Sequence, residues 1–334
     1  MFDTYIGTTS GVYRLTDSTA EPLGLEGERF WAIHAWQDGG SATILAGSYG
    51  NGMYRSRDGG KNWSPASEGL TALAFRCIGP DPLNPGAILA GTEPGRIFRS
   101  RDGGQTWGEL DGITRIPGHE AWYLPYSPRA GAVRNVYAPP DRPGSLFASV
   151  EVGGLLHSGD GGETWACDPV IDDDDIHHIT GHPNNPDLLF ASLGYAALKR
   201  PGRDEQYHLG GIARSRDAGK TWQKLESDYT RATIIPPSRP DLILAGPAPE
   251  VSREGRIVVS SNDGDTWEPA GAGIATPMAD MVDLFVAAPD DTIWAICSGG
   301  RLLRAELDEW FWRSAVPNDA DLRVQSISFV VREA

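Results

Sequence analysis

Two arginines, a histidine and several carboxylates stand at matching points of a repeated unit in this chain. Six short, largely apolar segments at 29–36, 75–79, 133–138, 176–181, 231–236 and 282–287 carry Trp31, Arg76, Arg134, His177, Ala232 and Asp283 at or near their starts. A seventh, 323–330, contributes Gln325 at the corresponding point. Turns further along each unit add Tyr49, Glu93, Glu151, a long excursion from Gly194 to Gly210, and the stretch 249–255. Arginines gathered in this way can grip a carboxylate, phosphate or enolate-like oxygen through paired N–H donors. An imidazole or glutamate beside them can move protons, which makes His177, Glu151, Arg134 and Arg76 the candidate catalytic set. Trp31, Tyr49, Glu93 and Asp283 are candidate ligand contacts, joined by Tyr195 and His208 from the long excursion. The same residue types also fit a plain structural role, with Arg and Glu of adjacent units paired as salt bridges around a rim.

The run Asp172–Asp175 followed by His177, His178 and His182 has the residue types of a metal site. Its spacing is poor. On a strand His177 and His178 point to opposite faces, and His182 lies beyond the strand. A solvated acidic turn is the simpler reading, so no metal and no cofactor are expected. His34 reads as a strand-packing residue, and His157 as one facing a neighbouring unit.

The elements that must position these residues are written as repeats. Five segments align without gaps: Ser56–Trp63, Ser100–Trp107, Ser158–Trp165, Ser215–Trp222 and Ser260–Trp267. They share the string S-x-D-x-G-x-T-W with small departures, and carry Asp58, Asp102, Asp160, Asp217 and, in the fifth, Asn262. Asx side chains bond nearby backbone N–H groups and Gly accepts a positive φ, so the string is a tight turn with a tryptophan anchor. Its carboxylates are therefore structural. A sixth copy has decayed to Glu306–Trp312, and the first unit has no copy at all. The repeat length is about 45 residues, stretched in two units by insertions at 111–132 and 193–211. Arg115, His119, Glu120 and Trp122 fall in the first insertion. Long aromatic insertions in a compact repeat protein read as ordered lids over a pocket.

Before each turn lie two alternating or apolar segments, for example Ile88–Gly91 and Arg96–Ser100, which pair as strands. The N-terminal unit lacks a first strand, and the apolar segment 323–330 can supply it. A ring closed by strands from both termini leaves no free sheet edge. The S-x-D-x-G-x-T-W string resembles the Asp-box, or BNR, repeat of sialidases, xyloglucanases, sortilin-type receptors and photosystem II assembly factors. That resemblance and the strand count give an all-β fold: a single seven-bladed β-propeller over residues 1–334, of four-stranded antiparallel blades, the N- and C-terminal strands sharing one blade.

Composition bounds the function. The chain has 334 residues, 41 of them Gly and 25 Pro, a density that excludes long helices. A net charge of −16 argues against a surface that tracks nucleic-acid phosphates or anionic lipid. No apolar run is long enough to span a membrane. Met1–Tyr5 lacks a signal-peptide start, and Cys77, Cys167 and Cys297 are too few and too scattered for a disulfide framework. A cytoplasmic protein is expected, and nothing in the sequence sets an oligomeric state. Resemblance to sialidases would imply three arginines around the substrate carboxylate, a Tyr–Glu nucleophile pair and an Asp acid/base. Only Arg76 and Arg134 suit that cluster, since Arg231 falls one residue out of register, and Arg115-Ile-Pro lies in a loop after the second box. Xyloglucanases resembling this chain use two propellers. The leading expectation is an intracellular hydrolase or lyase acting on a small anionic molecule in a central pocket. The alternatives are a non-catalytic propeller that binds a protein or sugar, as an assembly factor or receptor does, and a glycoside hydrolase of sialidase type.

Overall fold

A computed structural model describes residues 1–16, 19–122, 124, 131–168, 170–171, 175–194, 210–317 and 321–332. Seven four-stranded antiparallel sheets form a ring of blades. Blade 3 is typical: an inner strand Ala74–Pro80, then Ile88–Glu93, Ile97–Ser100 and a two-residue outer strand Gly108–Glu109. Neighbouring blades touch along their inner strands, so those strands line the axis. Tyr195 and His208, expected among the ligand contacts, lie outside the described residues.

Closure follows the expected route. The C-terminal strand Val324–Val331 pairs antiparallel with Phe2–Thr8 and becomes the inner strand of blade 1. Ser326 Oγ donates to the Phe30 carbonyl at 3.0 Å and Ser328 Oγ accepts from the Ala35 amide at 3.0 Å, which ties blade 1 to blade 2. Arg332 Nε reaches Asp3 Oδ2 at 2.9 Å, locking the two termini together.

Two devices hold the blades side by side. The first is glycine in the second strand. A Cβ on Gly47 would meet Phe75 Cβ at 2.7 Å, and one on Gly91 would meet Val133 Cγ1 at 2.7 Å, each an inner-strand residue of the next blade. The second is the Asp-box. In blade 4, Ser158 Oγ bonds Asp160 Oδ1 at 2.8 Å, Gly162 N–H donates to Ser158 Oγ at 2.9 Å, and Thr164 N–H donates to Asp160 Oδ1 at 2.9 Å. Trp165 and Trp222 donate to the Gly162 and Gly219 carbonyls of their own turns, while two other box tryptophans reach across to the neighbouring sheet. Trp63 Nε1 donates to Leu23 O at 2.7 Å and Trp107 Nε1 to Ala66 O at 3.0 Å, both on the preceding blade. Trp312 Nε1 keeps that link to Ala270 O at 2.7 Å although its box has decayed. His34 stacks on Trp36 at 5.3 Å, and burial pushes its imidazole down to about 4.

The first insertion is built into the wall as well as the rim. Its 3-10 turns Asp111–Arg115 and His119–Ala121 seat Ile113 and Ile116 in the core of blades 3 and 4. None of its described residues lines the central cavity.

Candidate functional site

All seven inner strands are irregular at the same place. In blade 2 Phe30 pairs with Ser48 but Ala32 pairs with Gly47, so Trp31 is an extra residue with no partner position opposite. The same shift leaves out Arg76 in blade 3, Arg134 in blade 4, His177 in blade 5, Asp283 in blade 7 and Gln325 in blade 1. In blade 6 the irregularity falls between Thr230 and Thr233 and takes in Arg231. A β-bulge puts one additional residue against its partner strand and re-aims a side chain, and bulges gather beside functional sites. Each bulge here delivers one side chain to the axis. Together Trp31, Arg76, Arg134, His177, Arg231, Asp283 and Gln325 line a cavity of about 250 Å³, which Glu151 and His178 also reach.

One correction concerns blade 6. Ala232 was expected at the axis, with Arg231 out of register, but Arg231 lines the cavity and Ala232 packs in the core. Thr230, fully buried, occupies the position held by Phe75, Val133, Ile176 and Val282 in other blades. A polar residue at the aligning apolar point displaced the reading by one. The cavity therefore holds three arginines.

Every one of the three is ion-paired. Arg76 Nε donates to Glu93 Oε2 at 2.9 Å, with a second contact from Nη2, and both side chains are buried. Tyr49 Oη donates to both Glu93 oxygens at 3.1 Å, and the Arg76 guanidinium lies 4.2 Å from the Trp31 ring centre. Glu93 and Tyr49 thus hold Arg76 from behind and do not line the cavity. Arg134 Nη1 is 3.2 Å from Glu151 Oε2. Arg231 Nη1 donates to Asp283 Oδ1 at 2.8 Å. Burial opposes the Arg231 charge, but Asp283 and Tyr229 outweigh it and hold the guanidinium more firmly protonated than usual.

A chain of polar contacts crosses blades 5 to 7. His177 Nε2 is 2.9 Å from Tyr229 Oη and 3.3 Å from Asp175 Oδ1, and Tyr229 Oη accepts from Arg231 Nε at 3.0 Å. Burial raises the Tyr229 phenol above its ordinary range, so it stays protonated. His177 Nδ1 makes no hydrogen bond among the described residues. One donor atom each from Glu151, Asp175 and His177 lie within 4.8 Å of one another. Of the Asp/His run, then, Asp175 and His177 meet Glu151. His182 sits apart, its Nδ1 accepting from Asn184 N–H at 3.1 Å. His178 is pushed down to about 4 by burial and by Arg134. Asp172, Asp173 and Asp174 lie outside the described residues.

The Asp-boxes are remote from all this. Ile97 pairs with Gly91 beside the bulge while Ser100 pairs with Ile88, so the turn after Ser100 leaves the opposite end of the blade.

A BNR/Asp-box repeat is matched at residues 54–65. No similar sequence is found among curated proteins. Among solved structures, the GH74 xyloglucanase from Xanthomonas campestris is similar at 17% identity and a TM-score of 0.65 over 98% of this chain and 52% of that one. YCF48 bound to D1 peptide is similar at 19% identity and a TM-score of 0.59, covering 92% of this chain and 90% of that one. Chaetomium thermophilum Sqt1, bound to the N-terminus of the ribosomal protein L10, is similar at 13% identity and a TM-score of 0.56 over 91% and 81%. The chain spans about half the length, or less, of the GH74 structures it matches. At such identities the likeness is one of fold, and enzymes and peptide binders share it. With its seven sheets and its repeated turns, the chain is a seven-bladed β-propeller carrying BNR/Asp-box repeats.

Proposed function

We propose that the central cavity binds a small anionic molecule between Arg134 and Arg231 and acts on it as a hydrolase or lyase, with Glu151 and His177 moving protons. The observation that carries this reading is the set of seven bulges, which turn chemically different side chains toward one axial cavity. A wall needed only for packing would be served by apolar residues; this one spends buried charge, which is costly unless paired. Arg76 forms part of the cavity wall, but it is buried against Trp31 and paired to Glu93, and so serves as a support. Arg134 and Arg231 are partly open to the cavity, at 20% and 17% side-chain exposure. An incoming acid competes with Glu151 and Asp283 for them, so the site favours an anion that can take several N–H donors at once.

A thermal-shift panel of small carboxylic and phosphate acids tests the reading. A shift of several degrees for one class, lost in Arg134→Ala without a change in the unliganded melting temperature, supports it. No response to any acid, or failure of Arg134→Ala to fold, counts against it. A second reading, a non-catalytic module that binds a peptide at its face, draws on the likeness to YCF48 and Sqt1, both solved with peptides. On that reading peptides bind and Arg134→Ala leaves their affinity unchanged.

A further inference from the structure

We propose that Glu151, Asp175 and His177 form a binding site for one divalent first-row transition-metal ion, of the manganese-to-zinc class. The donors come from two blades: Glu151 ends the second strand of blade 4, and Asp175 and His177 open the inner strand of blade 5. Their donor atoms lie within 4.8 Å of one another, and all three residues are buried. Two carboxylates held that close inside a protein repel unless a cation or a proton sits between them.

Arg134 Nη1 lies 3.2 Å from Glu151 Oε2, and His177 Nε2 lies 3.3 Å from Asp175 Oδ1, so the donors of the two blades face one another. A second observation concerns the imidazole. His177 is 3% exposed, and its Nδ1 has no hydrogen-bond partner among the described residues. A buried ring nitrogen in that state calls for an ion or a water. The backbone makes room for the cluster as well. At Gly194 a Cβ would overlap Asp175 Oδ2 and His177 Nε2, and Gly194 N–H donates to Asp175 O at 2.7 Å.

One imidazole nitrogen with two carboxylate oxygens is a mixed donor set, which suits manganese, iron, cobalt or zinc better than calcium or magnesium, whose sites are built from oxygen. Tyr229, hydrogen-bonded to His177, would orient the ring from the next shell. Arg134 beside Glu151 weakens binding relative to a site without a competing cation. The ion needs no substrate; with it bound Glu151 and His177 serve as ligands, so the proton transfers proposed above belong to the metal-free protein.

The test is titration calorimetry of the chelator-treated full chain with Mn²⁺, Co²⁺ and Zn²⁺, together with the visible spectrum of the Co²⁺ form. One equivalent bound, with a ligand-field band, is expected. Glu151→Gln, Asp175→Asn and His177→Gln are each expected to weaken binding at least tenfold, while Asp160→Asn at the opposite face leaves it unchanged. Absence of stoichiometric binding to the unmutated chain overturns the proposal, and that result does not depend on any variant folding. So does binding that survives all three substitutions, or a preference for Mg²⁺ or Ca²⁺. Metal binding with no response to any acid sinks the proposed reaction alone. Acid binding to chelator-treated protein that takes up no metal sinks the ion alone.

Discussion

The two ends of a blade repeat in opposite ways. At the Asp-box end the residues recur and the geometry recurs with them: Ser56, Ser100, Ser158, Ser215 and Ser260 each bond the Asx side chain two residues on, at 2.8–2.9 Å. At the cavity end the backbone recurs, one bulge per inner strand, but the residue it carries is Trp, Arg, Arg, His, Arg, Asp or Gln. A local turn needs the same donors and acceptors wherever it occurs. A cavity fed from seven directions needs different groups at each station, because every side chain meets a different part of whatever binds. Repetition of residues marks scaffold here, and repetition of backbone with varied residues marks the candidate site.

Arg76 is the place where that division is blurred, and breaking its pair has the largest expected effect. It sits on a bulge yet is locked to a fully buried Glu93. Glu93→Ala leaves a buried guanidinium uncompensated and is expected to cost about 3–5 kcal/mol. The double variant Arg76→Met, Glu93→Leu should recover most of that loss, since removing both charges together spares the desolvation penalty. Chemical denaturation of the single and double variants measures the difference. If Glu93→Ala is as stable as the parent, Arg76 is not a support and returns to the ligand-gripping set.

The next effect belongs to the inter-blade glycines. A Cβ on Gly91 meets Cys77 Sγ at 2.6 Å, Val133 Cγ1 at 2.7 Å and the Val133 carbonyl at 2.8 Å. Gly91→Ala is therefore expected to cost about 1–3 kcal/mol, as overpacking does. It also presses on Val133, the residue before Arg134, so loss of ligand affinity beyond the stability loss would show that blade packing sets the cavity geometry.

Much of this scaffold was legible because it is local. The boxes announce themselves in eight residues, and the missing first strand of blade 1 pointed to the C-terminal strand that fills it. The cavity was only half legible. Arg76, Arg134, His177 and Asp283 follow an apolar residue in each unit, which placed them. Arg231 escaped because Thr230 breaks that pattern. Tyr229, two residues earlier, falls outside the segment 231–236, and its place between His177 and Arg231 depends on two blades meeting. Tyr49 and Glu93 were recognised as polar groups at the right end of the blade, but not as partners of Arg76. Glu93 stands on the strand beside Arg76 in the same blade, while Tyr49 reaches the pair from blade 2, a meeting that leaves no trace in the spacing within one blade.

A smaller effect separates the fifth box from the others. Asn262 accepts from Thr266 N–H at 2.9 Å, as Asp160 accepts from Thr164 N–H, but its Nδ2 lies 2.9 Å from Thr266 Oγ1, where an aspartate would accept from the hydroxyl. The turn thus tolerates the amide by reversing one hydrogen bond. Asp160→Asn should lower the melting temperature less than Asp160→Ala, and equal losses would mean that the carboxylate charge matters more than the acceptor.

The smallest effect is a dependence on pH, and its sign follows from the same turns. Hydrogen bonds from the Thr164 side chain and backbone hold the Asp160 carboxyl down to about 2, those from Thr221 do the same for Asp217, and those from Asn62 for Asp58. A carboxyl depressed in the folded state adds stability that is complete above its ordinary pKa and is lost as pH falls toward the folded value. These boxes should therefore leave stability flat at neutral pH and contribute a decline only between about 4 and about 2. These carboxylates are exposed, so each contribution is small and screened by salt. Replacing Asp58, Asp160 and Asp217 together by Asn gives three of the four aspartate boxes the amide found in blade 6 and leaves Asp102 in place. The triple variant should lose part of the acid-induced decline in melting temperature while starting from a lower value at pH 7. An unaltered acid profile would mean that the carboxylates titrate alike in the folded and unfolded chains, and that geometry rather than charge holds the turn.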